Sequence, residues 1–389
     1  MPRPVDTWLL PEGVADVLPA EAVRLEALRR RLLDRFAGWG YQLVFPPLME
    51  YLDSLLTGSG HDLDLMTFKI TDQLTGRMMG VRADITPQVA RLDAHSLPVE
   101  GAARYCYAGT TLNTRPATLA ASRCPVQIGA ELYGYAGVAG DIEILRLMLE
   151  SLAIAGCRGI QLDLGHVAIF RGLARLAQLG EREESQLFDI YQRKAVAELR
   201  DFLAAHVTDS AAASRFEALL KLSGDAGVLA QAKKLLGGLA PEIDEALQSL
   251  EAVAAALQVS HADVALYFDL TELRGYHYHT GLVFAAYVPG SRAELAKGGR
   301  YDAVGEAFGR ARPATGFSAD LKSLLAYFSD ADAAAVIQAP AGDDAALRTA
   351  IAALREQGER VLQALPGEGE ATAGRVLRLQ DGQWRVATL

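Results

Sequence analysis

The chain has 389 residues, half of them hydrophobic and 22% charged, an ordinary globular composition with length for two or three domains. Its net charge of −10 and pI near 5.3 argue against a nucleic-acid binder, because cations that neutralise phosphate supply most non-specific affinity. Cys106, Cys124 and Cys157 form no CxxC or metal-like spacing, no apolar run nears the roughly 18–20 residues of a membrane span, and the N-terminus lacks a signal pattern, so a cytoplasmic chain in a reducing compartment is expected.

Residues 20–41 space Val23, Leu25, Leu28, Leu32, Leu33 and Phe36 at helical intervals, and Gly38 and Gly40 stop the helix. "YQLVFPPLMEY" follows as a strand broken by Pro46–Pro47, which places it at a sheet edge or a contact between chains. "FKITDQLTGRMMGVRADITPQVARLDA" predicts strand, turn, strand and a helix from Thr86 with Pro87 at its first position. "YAGTTLNTRP" (107–116) and "VQIGAELYGY" (126–135) predict a hairpin whose Gln127 and Glu131 form a pocket floor. "GDIEILRLMLESLAIAG" predicts an amphipathic helix ending at Gly156, and 158–168 another strand. From about 169 to 260 the pattern is helical, with breaks at Gly180, Gly224 and Gly237–Gly238. Strands return in "VALYFDLTELRGYHYHTGLVFAAYVPG"; "KGGRYDAVGEAF" is a glycine-rich turn, and "ATGFSADLKSLLAYF" a strand entering a helix. Beyond 330 the order is strand, helix, strand and a hairpin on Asp381–Gly382. The expected layout is an antiparallel-rich α+β domain over 1–330, interrupted by the helical stretch, then a small α/β segment over 331–389.

Four clusters carry candidate chemistry. "RADITPQVAR" sets Asp84 and Thr86 before a helix whose free N–H groups favour an anion or polar ligand, although a plain helix cap explains the same residues. "QIGAE" puts Gln127, Gly129 and Glu131 on one strand face, as a pocket or as an ordinary sheet surface. In "RGYHYHTG", His277 and His279 would point the same way on a strand, but no third ligand is near, so a binding loop is favoured over a metal site. "KGGRYD" offers a tight turn for close backbone approach.

In this order and spacing the clusters resemble the catalytic domain of class II aminoacyl-tRNA synthetases, specifically the histidyl branch. "GYQLVFPPLMEY" resembles the first, dimer-forming motif, "RADIT" the histidyl "RPEGT", and "QIGAELYG" its "QxGxExxG". "ELRGYHYHTGLVF" is similar to the histidine-specific "RGLDYYTGTVFE", and "GGRYDAVGEAFG…PATGFSADL" to the glycine-rich strand and third motif. The likeness runs from about Leu9 to Leu325. It implies an antiparallel sheet flanked by helices, with the helical stretch as an insertion. It also implies a histidine site. Asp84, a shortened form of the family's glutamate, would receive the ammonium, Glu131 an imidazole N–H, and Arg274 the carboxylate. Thr86, Gln127 and Tyr278 match outright, and His279 replaces a tyrosine.

The departures fall on the nucleotide side. Leu112 stands where the second motif carries its phosphate-gripping arginine, and Thr114 where it carries a glutamate. Ser323 replaces the third motif's arginine, and Lys322, displaced by one position, is turned about 100° on a helix. Each cationic donor lost from an adenylate-forming site costs about 10²–10³-fold in rate. The segment after 330 is also shorter than an anticodon-binding domain.

A synthetase-like chain with a histidine pocket and no ATP grip resembles the regulatory subunits of ATP phosphoribosyltransferase. That resemblance implies no catalysis, cofactor or metal of its own, and a role in the first step of histidine biosynthesis. It implies a self-dimer, a hetero-oligomer with the short-form catalytic subunit, and L-histidine as effector, without tRNA or membrane. A divergent histidyl-tRNA synthetase and a histidine-binding module of another system are the other readings. The isolated chain is expected to show no histidine-dependent ATP–pyrophosphate exchange; measurable exchange would restore the synthetase reading.

Overall fold

The computed structural model describes residues 9–57, 61–116, 121–276, 278–291, 293–329, 335–368 and 374–389. Helix α1 (Pro19–Gly38) starts on a proline, whose missing N–H costs nothing in a first turn, and buries Leu28, Leu32 and Phe36 along one stripe. The chain then forms β1 (Gln42–Leu43) and β2 (Met49–Tyr51), separated by Pro46–Pro47. Both are edge strands, as prolines without a ladder donor require. Short helices α2 (Leu52–Leu56) and α3 (His61–Met66) lead into the hairpin of β3 (Phe68–Thr71) and β4 (Met78–Val81), which completes a small sheet in the order β2-β4-β3. Helix α4 (Thr86–Arg91), with Pro87 in its first turn, continues into a π-helical turn at Leu92–Ser96.

Strands β5 (Ala103–Thr110) and β6 (Val126–Tyr133) pair antiparallel, with Tyr105 opposite Glu131 and Tyr107 opposite Gly129. The first strand therefore lies earlier than the expected 107–116. Past Thr110 the chain still bonds the same neighbour, Thr111 N–H to the Pro125 carbonyl (3.1 Å) and Asn113 N–H to the Arg123 carbonyl (2.8 Å), while Arg82 takes the other edge, its Nε donating to the Thr110 carbonyl and its carbonyl accepting from the Leu112 N–H.

Helix α5 (Val138–Ile154) is amphipathic, as expected: Ile144, Leu145, Leu147, Met148, Leu149 and Leu152 are buried, while Ile142, Glu143, Arg146, Glu150, Ala153 and Ile154 share the opposite, less buried face. Its acids are paired instead of solvated: Glu143 with Arg104 and Tyr41, Glu150 with Trp39, and Asp141 with Arg300. Strand β7 (Gln161–His166) then feeds the helical stretch: α6 (Val167–Leu176), α7 (Glu181–Gln192), α8 (Val196–His206) and α9 (Ser210–Leu219). A two-residue strand, β8 (Ser223–Gly224), interrupts it before α10 (Gly227–Leu236) and α11 (Pro241–Ser260).

Strands β9 (Ala265–Asp269), β10 (Leu282–Tyr287), β11 (Ala296–Arg300) and β12 (Ala314–Asp320) follow, with a 3-10 turn at Val304–Phe308, and β12 runs into α12 (Leu321–Leu324). They complete a nine-stranded sheet in the order β1-β5-β6-β12-β11-β10-β7-β9-β8, antiparallel except for the pairs β1/β5 and β7/β9. The expected glycine-rich turn at 297–302 is thus largely strand. Its glycines serve close approach inside the ladder: a Cβ on Gly298 would lie 2.0 Å from the Gly316 carbonyl oxygen and 2.8 Å from Phe317 Cα. Residues 274–276 and 278–280 are not strand, and His277 lies outside the described residues.

The chain divides into two units, Met1–Ser329 and Asp330–Leu389. The second holds β13 (Ile337–Ala339), α13 (Ala345–Glu356), β14 (Val361–Gln363), β15 (Arg375–Gln380) and β16 (Gln383–Thr388), with sheet order β14-β13-β15-β16. Its hairpin turns on Asp381 and Gly382, both at positive φ (49° and 75°), the pattern of a type I′ turn. Ile337, Leu347, Ile351 and Leu377 are the heart of its core. Among the described residues no helix is long and apolar enough to cross a membrane.

Gly298→Ala is expected to destabilise the first unit by about 1–3 kcal/mol or more, because backbone rather than a movable side chain blocks the new methyl. Thermal melts against the parent chain check this; an unchanged midpoint would refute the packing account.

Candidate ligand-binding site

Alternation along β6 builds the floor of a cavity. Ile128, Ala130 and Leu132 point into the main core, so Gln127, Gly129 and Glu131 take the opposite face. Glu131 is 1% exposed. Its Oε1 accepts from Thr86 Oγ1 (3.0 Å) and the Tyr107 hydroxyl (3.1 Å), and its Oε2 accepts from the Tyr301 hydroxyl. Two glycines make this possible. A Cβ on Gly316 would sit 1.6 Å from Glu131 Oε2, and one on Gly129 would sit 2.4 Å from the Tyr107 hydroxyl. The flat group that Gly129 admits is therefore the protein's own Tyr107.

Asp84, just ahead of α4, accepts from the Thr86 N–H (3.0 Å) and from Gln127 Nε2 (2.8 Å), while Gln127 Oε1 accepts from the Ile85 N–H (2.9 Å). Ile85 holds the cap position of α4 without a side-chain cap bond, so Asp84 braces the turn ahead of the helix instead of capping it. Six of the seven expected ligand residues, Asp84, Thr86, Glu131, Arg274, Tyr278 and His279, line one cavity of about 250 Å3. Gln127 stands behind it, braced on Asp84.

The opposite wall comes from the turn after β9. Arg274 lines the cavity, but its guanidinium is already engaged, by Glu272 through Nε (2.9 Å) and Nη2 (2.7 Å) and by the Tyr287 hydroxyl through Nη1 (2.5 Å). A ligand carboxylate must share it with Glu272. The Tyr278 ring stacks on Tyr301 at 5.0 Å, and its buried hydroxyl has no hydrogen-bond partner among the described residues. The His279 ring fits because Gly275 and Gly299 carry no Cβ, which would approach it to 2.8 and 2.9 Å. Burial pushes its pKa down to about 4, so the imidazole is neutral.

Sequence reasoning missed Tyr107, Tyr301 and Glu272. Tyr301 stands within the quoted "KGGRYD", but only the closed sheet brings its hydroxyl to Glu131. Leu112, Thr114 and Ser323 are not among the lining residues. Thr114 donates to the Leu65 carbonyl (2.6 Å), and Ser323 to Asp320 Oδ2 (2.8 Å). No group of three or more His, Cys, Asp or Glu among the described residues could hold a metal ion. The cavity combines acids at its floor, Asp84 and Glu131, with cations at its wall, Arg274 and Lys297. That arrangement suits a small zwitterion.

Burial raises the Glu131 pKa from 4.5 to about 8, although three hydroxyls oppose the shift. Between those values the native chain holds a proton that the unfolded chain has released. The group's contribution is therefore full below 4.5 and lost as pH rises through 8. His166 and His279, both lowered to about 4 from 6.5 by burial, oppose this slope only below pH 6.5. Between pH 6.5 and 8, stability is expected to fall by up to about 1.4 kcal/mol per pH unit from Glu131, and Glu131→Gln to flatten that slope. Denaturant melts across this window check it; identical slopes in both chains would refute it.

A family model described as histidyl-tRNA synthetase matches residues 13–324, and one described as ATP phosphoribosyltransferase subunit HisZ C-terminal domain matches residues 334–387. ATP phosphoribosyltransferase regulatory subunits from Thioalkalivibrio sulfidiphilus and Stutzerimonas stutzeri are 55% and 53% identical to the chain. The first match covers 98% of both sequences and the second 99%. A solved structure from Bacillus halodurans, described as an ATP phosphoribosyltransferase regulatory subunit/histidyl-tRNA synthetase, is similar at TM-score 0.81 and 25% identity, over 95% of this chain and 96% of that one. A chain of the Thermotoga maritima ATP phosphoribosyl transferase (HisG:HisZ) complex shares the fold at TM-score 0.59 and 16% identity, over 76% of this chain and 96% of that one. On its fold and on these near full-length matches, the chain belongs to the ATP phosphoribosyltransferase regulatory subunit family.

Proposed function

We propose that the chain, as a non-catalytic regulatory subunit, binds free L-histidine in the Glu131 cavity and conveys its presence to the catalytic subunit of ATP phosphoribosyltransferase. One observation carries this reading. A buried acid ringed by hydroxyls survives at the cavity floor, while Leu112 and Ser323 stand where the resembling synthetases grip phosphate. In this pose Glu131 takes an imidazole N–H, Asp84 the ammonium, and Arg274 the carboxylate in exchange for part of its pairing with Glu272. Thr86 and Gln127 hold Glu131 and Asp84 in place, and Tyr278 and His279 enclose the ring.

Two further features support assembly. Leu43, Phe45, Leu48 and Met49, around Pro46–Pro47, are 42%, 73%, 48% and 42% exposed, an apolar patch fitted to a second copy of the chain. The relatives' name and the Thermotoga complex support a catalytic ATP phosphoribosyltransferase partner. The acidic net charge disfavours tRNA. Feedback then requires only that histidine bind the inhibited arrangement of the complex more tightly than the active one; a 100-fold preference corresponds to about 2.8 kcal/mol.

Calorimetry of the purified chain is expected to show saturable histidine binding, weakened on the order of 10-fold by Glu131→Ala through loss of a buried hydrogen bond at the cavity floor. Absence of binding at millimolar histidine, or equal binding by the variant, would overturn the assignment.

A further inference from the structure

We infer that Tyr276 is a positioning residue through which occupancy of the cavity reaches the helical insertion at α6 and α7. The inference rests on the histidine reading above and names the route by which that site acts. The turn through 274–276 and 278–280 is two-faced. Arg274, Tyr278 and His279 line the cavity, whereas Tyr276 points away from it and is only 4% exposed. Its ring stacks on Phe188 of α7 (5.2 Å, 25° between planes) and meets Phe170 of α6 edge-on (5.3 Å, 89°). Its hydroxyl donates to Glu184 of α7. Arg171 of α6 donates to the Tyr276 carbonyl (2.7 Å) and lies 4.6 Å from the ring centre.

The turn is built to move as one piece. The Gly275 carbonyl accepts from both the Tyr278 and His279 N–H groups (2.7 Å each), and the Tyr276 N–H is held by the Leu273 carbonyl (2.9 Å). Gly275 takes φ +63°, a conformation that L side chains rarely adopt. A ligand that shifts Tyr278 or His279 therefore shifts Tyr276. The contacts continue outward: Phe170 packs edge-on against Tyr191 of α7 (5.6 Å), whose hydroxyl donates to the Phe216 carbonyl of α9 (2.7 Å). Packed aromatic groups with few alternative placements transmit small displacements instead of absorbing them. The motif that this turn resembles has leucine at the position of Tyr276, which reaches no hydrogen-bond acceptor, whereas the Tyr276 hydroxyl donates to Glu184.

The test is hydrogen–deuterium exchange with and without millimolar L-histidine on the full chain, its Tyr276→Phe variant and its Glu184→Gln variant, beside calorimetry of each. In the parent, histidine is expected to slow exchange across Glu181–Gln192 by about threefold or more. Both variants are expected to bind histidine within about threefold of the parent, because the cavity lining is untouched, yet to lose at least half of that ligand-dependent protection. A purely structural role would raise exchange equally with and without ligand and leave the ratio unmoved. No binding by the parent would overturn the histidine reading and this inference together. Binding without altered exchange in α7, or an unchanged ratio in both variants, would overturn this inference alone.

Discussion

Glu131 is an acid removed from water, and among the described residues no ion pair reaches it. Burial there favours the protonated form, and a buried carboxyl still needs hydrogen bonds to replace its hydration. Three hydroxyls do so, from Thr86 at the start of α4, Tyr107 on β5 and Tyr301 just past β11. Elements distant in the sequence are thus drawn to one point. The π-helical turn after α4 is fastened in its turn by the buried pair of Asp93 with Arg312, near β12 (2.8 Å). The ligand wall is fastened through Arg300, which bonds Asp141 of α5 (3.0 Å) and gives its carbonyl to the Thr280 N–H.

Buried ion pairs of this kind contribute little net stability, since desolvation offsets most of their attraction. Their effect is geometric. Breaking either one strands a charge in the interior, so the alternatives to the native arrangement rise in energy together. The stability itself comes from the apolar core, where α5 buries one broad face and α11 carries six buried positions.

Much of this was legible in the residues. The stripe of Leu28, Leu32 and Phe36, the double proline at a strand edge, and the alternation of Gln127, Gly129 and Glu131 each follow from local periodicity. What escaped depended on partners far away in the chain. The amphipathic pattern of α5 gave no sign that Asp141, Glu143 and Glu150 pair with Arg300, Arg104 and Arg35 on other elements. "KGGRYD" suggested a turn because glycine serves both tight turns and close strand contact, and only the neighbouring strand decides between them. Glu272 was visible two residues before Arg274, yet two residues apart on a turn is not a spacing with a fixed geometric meaning.

Gly316 has a consequence that reaches past packing. The space where its side chain would begin is already filled by an oxygen of Glu131, on the strand paired beside it. Any larger residue there must evict the acid or prise the two strands apart. The pairing of the two strands and the seat of the acid are thereby coupled at a single atom's width, so any change that fills the space at Gly316 is felt at once in the sheet and at the cavity floor.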